Sequence, residues 1–210
     1  EPDAGSDTRN ISCRAVRDGD EYVITGTKAW VTNGERAGLV ALAARTEEGI
    51  TCFMVEKDPG VAYGGIAVSK NIGKLGYRGL ETVEMVYDAH RVPASAVLGG
   101  DEGVGKGLAA ILSGLEVGRI NIAARAVGVA RAAFEASIKY AQQRHTFGQP
   151  IAAHQAIAHK LADMGTQLQA ARLLTEHAAR LRAETGRAEV EAGMAKLFAS
   201  EAALDIATEA

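Results

Sequence analysis

The sequence predicts an α+β chain of two domains: an antiparallel β-barrel or sandwich over residues 1–101, then an antiparallel α-helical bundle over residues 102–210. Three observations carry that reading. Up to about Gly99, short segments alternate apolar and polar residues between Gly, Pro and Asp stops. After Gly107 the period changes, and apolar residues recur at three- and four-residue steps. Three of the four prolines, Pro2, Pro59 and Pro93, fall on the first side of that switch.

The first strands, Ile11–Arg17 and Glu21–Lys28, flank Asp18-Gly19-Asp20, and Asp-Gly between alternating segments is a hairpin signal. Leu39–Arg45, Thr51–Glu56, Ile66–Lys70 and Thr82–Tyr87 follow as further strands, with little helix between them. The first helix carries Leu108, Ile111, Leu112, Leu115, Ile122, Val129 and Ala133 on its apolar positions and runs to about Arg144. Phe147-Gly148-Gln149-Pro150 breaks it. A second helix fits His154 to about Thr185 and stops at Gly186, and a third starts near Glu189. Short connections make these helices antiparallel neighbours, and alanine pairs such as Ala123-Ala124 and Ala170-Ala171 permit close approach. The chain opens without Met on a turn-rich stretch and stops inside an apolar-periodic helix, so it reads as a piece of something longer, with the bundle incomplete.

A net charge of −3 and 47 % apolar residues give no reason to invoke nucleic acid or an anionic membrane. The apolar runs read as too short to span a bilayer, and no signal peptide opens the chain. Cys13 and Cys52 lack metal-binding spacing and read as buried free thiols in a reducing compartment, with a disulfide the less favoured alternative. The expected location is cytoplasmic, or the mitochondrial matrix in a eukaryote.

Trp30 is the only tryptophan, and it lies in Thr27-Lys28-Ala29-Trp30-Val31-Thr32-Asn33-Gly34. On a strand, Trp30 and Thr32 share a face, about 7 Å apart. An aromatic wall beside a hydroxyl suits a flat heteroaromatic cofactor; a core tryptophan next to a turn is the plainer alternative. Gly100-Asp101-Glu102-Gly103-Val104-Gly105-Lys106-Gly107 nearly matches a phosphate loop, but Gly107 stands where a hydroxyl is required, so a flexible joint ahead of the first helix is the better account. The five histidines form no metal-binding spacing, and no nucleophile motif is present. Arg144-His145-Thr146-Phe147-Gly148 offers a guanidinium for a diphosphate and a ring to cover an aromatic surface, or is a polar inter-helix turn. Glu116 and Arg119 sit three apart on a helix, a spacing that also makes a local ion pair.

Taken in order, several motifs resemble the acyl-CoA dehydrogenase family of flavoproteins. They are Glu1-Pro2-x-Ala4-Gly5-Ser6-Asp7, Gly26-x-Lys28-x-Trp30-x-Thr32-Asn33-Gly34, Arg91-Val92-Pro93, Gly103-x-Gly105-x-Gly107, Glu116-Val117-Gly118-Arg119, Tyr140-Ala141-x-x-Arg144-x-Thr146-Phe147-Gly148 and His154-Gln155. The resemblance spans essentially the whole chain and implies a middle β-domain followed by the early part of a C-terminal helical domain, with the N-terminal helical domain absent. It implies FAD as cofactor, with Trp30 and Val31 against the isoalloxazine and the Thr32 hydroxyl donating to flavin N5. Ser6 would contact the FAD pyrophosphate or the CoA arm. Glu116 and Arg119 would line the acyl-CoA site. Arg144, Thr146 and Phe147, supported by Gln155, would reach the FAD of a neighbouring subunit, which implies a homo-oligomer, by family habit a tetramer.

The implied chemistry is α,β-dehydrogenation of short- or medium-chain or branched acyl-CoA thioesters, with electrons passed to electron-transfer flavoprotein. An acyl-CoA oxidase of the same fold is the related alternative, and a non-catalytic family member serving assembly is the other. The position that carries the catalytic base in a minority of the family is Gly118, so the base is expected beyond Ala210 and the 210 residues alone are expected to be inactive.

Overall fold

The computed structural model describes residues 1–210, which divide into two compact units, Glu1–Leu112 and Ser113–Ala210. The first unit is a mixed, mostly antiparallel seven-stranded sheet. Its strands are β1 (Arg14–Asp18), β2 (Glu21–Thr32), β3 (Leu39–Thr46), β4 (Gly49–Glu56), β5 (Ala62–Tyr63), β6 (Ile66–Val68) and β7 (Thr82–Pro93), in the order β4-β3-β1-β2-β7-β6-β5. Every strand expected from the alternation is present. The one parallel pairing joins β1 to β3. The Asp18–Glu21 hairpin closes through Gly19 at φ 64, a conformation glycine adopts without penalty.

The core of this unit gathers one side of the sheet. Tyr22, Ile24, Leu42, Phe53, Val55, Val83, Met85 and Tyr87 are buried together, and the Tyr22 and Phe53 rings meet edge-on with centroids 5.0 Å apart. Cys13 and Cys52 are free, buried thiols, as expected, and burial pushes both up from the ordinary thiol value.

The longest ladder, β2 on β7, is interrupted twice. The register shifts between Ile24 and Gly26, and again between Lys28 and Val31. Each interruption coincides with a non-glycine residue in the left-handed region, Ala89 at φ 48 and Trp30 at φ 61.

Residues 100–107 are not a flexible joint. A short 3₁₀ turn covers Gly100–Gly103, and Gly105 N–H donates to Thr51 Oγ1 at 2.9 Å. A Cβ on Gly103 would lie 1.9 Å from the Leu98 carbonyl oxygen, and one on Gly107 would lie 2.4 Å from the Cys52 nitrogen. These glycines permit backbone to lie against backbone, a reason for glycine distinct from freedom of motion.

The second unit is helical. α1 (Gly107–Gln143) begins in the first unit and continues here, followed by α2 (Gln155–Thr185) and α3 (Glu189–Glu209). Gly186 at φ 76 ends α2, its N–H donating to the Arg182 carbonyl. The helices run antiparallel: Lys160 at the start of α2 pairs with Glu209 at the end of α3. Alanines make the contact, with Ala123, Ala171, Ala178, Ala195 and Ala199 forming one buried cluster and Ala130, Met164, Ala203 and Ile206 another. Contrary to the expectation that no apolar run reaches membrane-spanning length, α1 is long and apolar enough to cross a bilayer by length and composition, a test that a helix packed in a bundle also meets.

Between α1 and α2 the chain makes a feature that periodicity did not reveal, a two-strand hairpin of β8 (His145–Thr146) and β9 (Gln149–Pro150). Its tip is Phe147 at φ 51 and Gly148 at φ 81, both left-handed as a two-residue hairpin turn requires.

Candidate functional site

The candidate site residues fall into two groups, one in each unit. In the first unit they lie where β2 leaves its regular path. The bulge before Val31 holds Trp30 in the left-handed region with 68 % of its surface exposed. A bulky side chain with positive φ is a strained conformation, costing about 1–3 kcal/mol. Val31 turns inward onto the sheet core, and Thr32 is exposed again. Trp30 and Thr32 therefore share the exposed side, as alternation predicts, although the bulge beneath Trp30 was not expected.

Beside Trp30 lies a shallow, largely apolar cleft of about 280 Å³, lined by Lys28, Ala29, Val31, Ala41, Tyr87 and Ile111 among others. Exposed aromatic surface, an apolar floor and a hydroxyl with no hydrogen bond inside the chain fit the face of a flat heteroaromatic ring such as isoalloxazine. Just past Thr32, Asn33 also holds positive φ, 58°, and its N–H donates to the Glu81 carbonyl at 3.1 Å. Gly34 is packed so closely that a Cβ would lie 2.6 Å from Val83 Cγ2.

Ser6 sits on an exposed bend ahead of the 3₁₀ turn Thr8–Asn10. The segment that carries it is pinned by Glu1, whose role sequence reasoning missed. Its carboxylate accepts from Ser12 N–H at 2.5 Å, Cys13 N–H at 3.2 Å and the Lys28 ammonium at 2.5 Å. Burial by itself pushes this carboxyl up, but the hydrogen bonds from Lys28 and Ser12 outweigh it and hold the pKa down at about 2. Lys28 thus ties the Ser6 segment to the strand whose next residues form the cleft.

In the second unit, the β8–β9 hairpin presents Phe147 with 97 % of its surface exposed. Arg144, also exposed, marks the end of α1: its N–H donates to the Tyr140 carbonyl at 2.8 Å, and its carbonyl accepts from Ile151 N–H at 2.8 Å. Thr146 is fastened by His154, with 3.0 Å between Thr146 Oγ1 and His154 Nε2. His154 Nδ1 lies 3.2 Å from Gln149 Nε2, and the His154 ring meets Phe147 edge-on at 6.0 Å. His154 therefore organises the hairpin from the start of α2, a role its place in the His154-Gln155 motif did not disclose. Gln155 itself is exposed. An exposed ring and guanidinium on a braced hairpin form a tip suited to another surface.

Glu116 has a structural role that its spacing from Arg119 did not disclose. It is buried at 5 % exposure, and Oε1 accepts from Ala188 N–H at 2.5 Å and from Arg182 at 3.3 Å. Arg182 also donates to Ser113 Oγ at 3.1 Å and to the Gly186 carbonyl. Through Oε1 the carboxylate holds α1, α2 and the start of α3 together. It does not pair with Arg119, which is exposed and makes no ion pair. Gly118, between them, has open space around its Cα.

Known proteins agree with both units. Residues 1–90 match the family model for the acyl-CoA dehydrogenase middle domain, and residues 105–210 match that for the acyl-CoA dehydrogenase C-terminal domain. The cyclohexane-1-carbonyl-CoA dehydrogenase of Geobacter metallireducens is 43 % identical over 100 % of this chain and 54 % of its own length. The structure of butyryl-CoA dehydrogenase from Megasphaera elsdenii superposes with a TM-score of 0.91 at 37 % identity, over 100 % of this chain and 54 % of that one. The prolyl acyl carrier protein oxidase AnaB gives a TM-score of 0.91 at 37 % identity, over 100 % of this chain and 55 % of that one. The chain spans about half the length of the curated relatives it matches. With both family models in sequence order and the sheet and helices those solved structures share, the chain belongs to the acyl-CoA dehydrogenase family.

Proposed function

We propose that the whole protein is an FAD-dependent acyl-CoA dehydrogenase acting on short- or medium-chain or branched acyl-CoA thioesters. The observation that carries this is Trp30: a strained, exposed tryptophan beside an apolar cleft, with the Thr32 hydroxyl unpaired on the same side. A folded chain keeps a residue strained and uncovered where binding gains from it. Trp30 forms the wall against the isoalloxazine with Val31 lining the cleft beside it, Thr32 supplies a donor to the ring's edge, and Ser6 contacts the pyrophosphate or the CoA arm. FAD bound there would supply the acceptor for a hydride from the acyl β-carbon.

The other residues serve binding and assembly. Arg119, exposed and cationic, contacts the CoA moiety, and Glu116 lines the acyl-CoA site while its Oε1 fixes the helix that carries Arg119. Arg144, Thr146, Phe147 and Gln155 reach the FAD of a second subunit, which makes the protein a homo-oligomer, in this reading a tetramer. Electrons leave to electron-transfer flavoprotein. Neither Gly118 nor the inward-facing Glu116 can serve as the base that takes the α-proton, so the 210 residues alone are expected to show no turnover.

The test is the visible spectrum of the whole protein. A yellow flavin band that bleaches anaerobically on adding butyryl-CoA supports the reading, and a colourless folded protein overturns it. Likeness to a carrier-protein oxidase favours a second reading in which oxygen reoxidises the flavin. Comparing reoxidation by air with reoxidation by electron-transfer flavoprotein separates the two.

A further inference from the structure

Two buried charges flank the turn that follows Thr32, and both are directed at its main chain. Lys57, beyond the end of β4 and only 4 % exposed, makes no ion pair. Its ammonium donates to the carbonyls of Glu35 and Ala37, each at 3.2 Å. Glu81, just ahead of β7, is also buried, and its Oε1 accepts from Arg36 N–H at 2.8 Å. The exposed Arg36 guanidinium approaches no closer than 4.0 Å. Main-chain bonds reinforce both sides: Lys57 N–H donates to the Gly38 carbonyl at 3.1 Å, and Asn33 N–H donates to the Glu81 carbonyl at 3.1 Å. Residues 33–38 are thus held by a cation on their carbonyls and an anion on an amide.

Removing an ammonium or a carboxylate from water is costly, and apolar side chains of the same volume would fill the space more cheaply. Charge adds direction, because a charge-assisted hydrogen bond fixes where a backbone group points. The turn so fixed follows directly on Trp30, Val31 and Thr32. Trp30 at φ 61 and Asn33 at φ 58 keep conformations that persist only where their surroundings over-determine them.

We propose that Lys57 and Glu81 are positioning residues for the cofactor-facing segment. Together they clamp residues 33–38 and thereby hold Trp30 and Thr32 in place before any ligand arrives. Neither touches the flavin. Their effect is to remove ordering cost from binding, and the role rests on the flavin reading above.

The experiment compares Lys57→Met, Glu81→Leu and the conservative Glu81→Gln, whose amide oxygen still accepts from Arg36 N–H, in the flavoprotein with and without FAD. Trp30 is the sole tryptophan, so its fluorescence anisotropy reads this segment directly without cofactor. Amide exchange at Asn33, Arg36 and Ala37 reads the turn. Lys57→Met and Glu81→Leu should exchange these amides about tenfold faster and loosen Trp30. They should also weaken FAD binding about tenfold while leaving the KM for acyl-CoA unchanged, and Glu81→Gln should stay within about threefold of native. Should Lys57→Met fail to fold, the contrast between Glu81→Leu and Glu81→Gln carries the comparison. The clamp is refuted if folded Lys57→Met and Glu81→Leu bind FAD as tightly as native with unchanged anisotropy. A native protein that takes up no FAD overturns the flavin reading and the positioning role with it, while the exchange rates still report whether the clamp holds the turn.

Discussion

Replacing Glu116 by leucine tests how the helical unit is joined. Ala188 stands at the start of α3 and offers no side-chain cap, so Glu116 caps that helix from α1. Leucine leaves the buried Ala188 N–H without an acceptor, at about 1–3 kcal/mol. It also removes an anion from a helix N-terminus, about 0.3–1 kcal/mol. Arg182 loses one partner but keeps Ser113 and Gly186, and its side chain is 25 % exposed, so that loss adds at most about 1 kcal/mol. Leucine regains about 1 kcal/mol by burying its own apolar surface. The net cost centres on about 2 kcal/mol. Urea unfolding followed by far-ultraviolet circular dichroism should place the Glu116→Leu midpoint about 1–2 M below native. Glu116→Gln, which keeps an acceptor for Ala188 N–H, should lose less than half as much. The reasoning fails if leucine unfolds within about 0.5 kcal/mol of native, or if glutamine costs as much as leucine.

Other substitutions probe the β unit. Trp30→Gly should stabilise the free chain by about 1 kcal/mol, because glycine relieves the left-handed strain and little burial is lost; the same change should abolish FAD uptake, and thermal unfolding beside flavin titration checks both. Gly26→Ala should prevent accumulation of folded protein, since its Cβ would lie 2.6 Å from Cys13 Cα. Gly19→Ala, equally left-handed but in open space, should cost about 1–2 kcal/mol, and expression with denaturant titration separates them. Lys28→Met should be less stable than native at neutral pH. Glu1 has its folded pKa depressed to about 2 from 4.5, so the stability it contributes is full above pH 4.5 and is lost as pH falls toward 2; the gap between native and Lys28→Met should close across that window in acid titrations followed by circular dichroism.

Much of this architecture was legible because local chemistry marks it. Asp18-Gly19-Asp20 supplies its own turn, Gly186 its own helix stop, and the alanines of α1 to α3 their own close packing. What was not legible depends on partners distant in sequence. The spacing of Glu116 suggests a local pair with Arg119, yet its hydrogen-bond partners lie 66 and 72 positions away at Arg182 and Ala188. The glycines from 103 to 107 suggest mobility, whereas their missing side chains admit Leu98, Glu48 and Cys52. Trp30 and Thr32 were recognisable as a pair from spacing alone. The bulge that exposes Trp30 was not, because it is set jointly with the opposite strand.

That joint setting has a consequence for the whole ladder. From Glu21↔Pro93 to Thr32↔Thr82 the two strands have equal length, so a straight register without either bulge would keep the same end pairs. The burial parity of β7 forbids it. Val83, Met85 and Tyr87 point inward on odd numbers, but His90 and Val92 do so on even ones. Without the offset at Ala89, the odd sequence would continue through Arg91, driving a guanidinium into the core and turning His90 and Val92 out. Once β7 slips by one place, β2 must slip back to meet Val83, and it does so at Trp30. The conformation of the tryptophan thus goes with the change of burial parity on the other strand, and the two bulges compensate so that the end pairs stay in register.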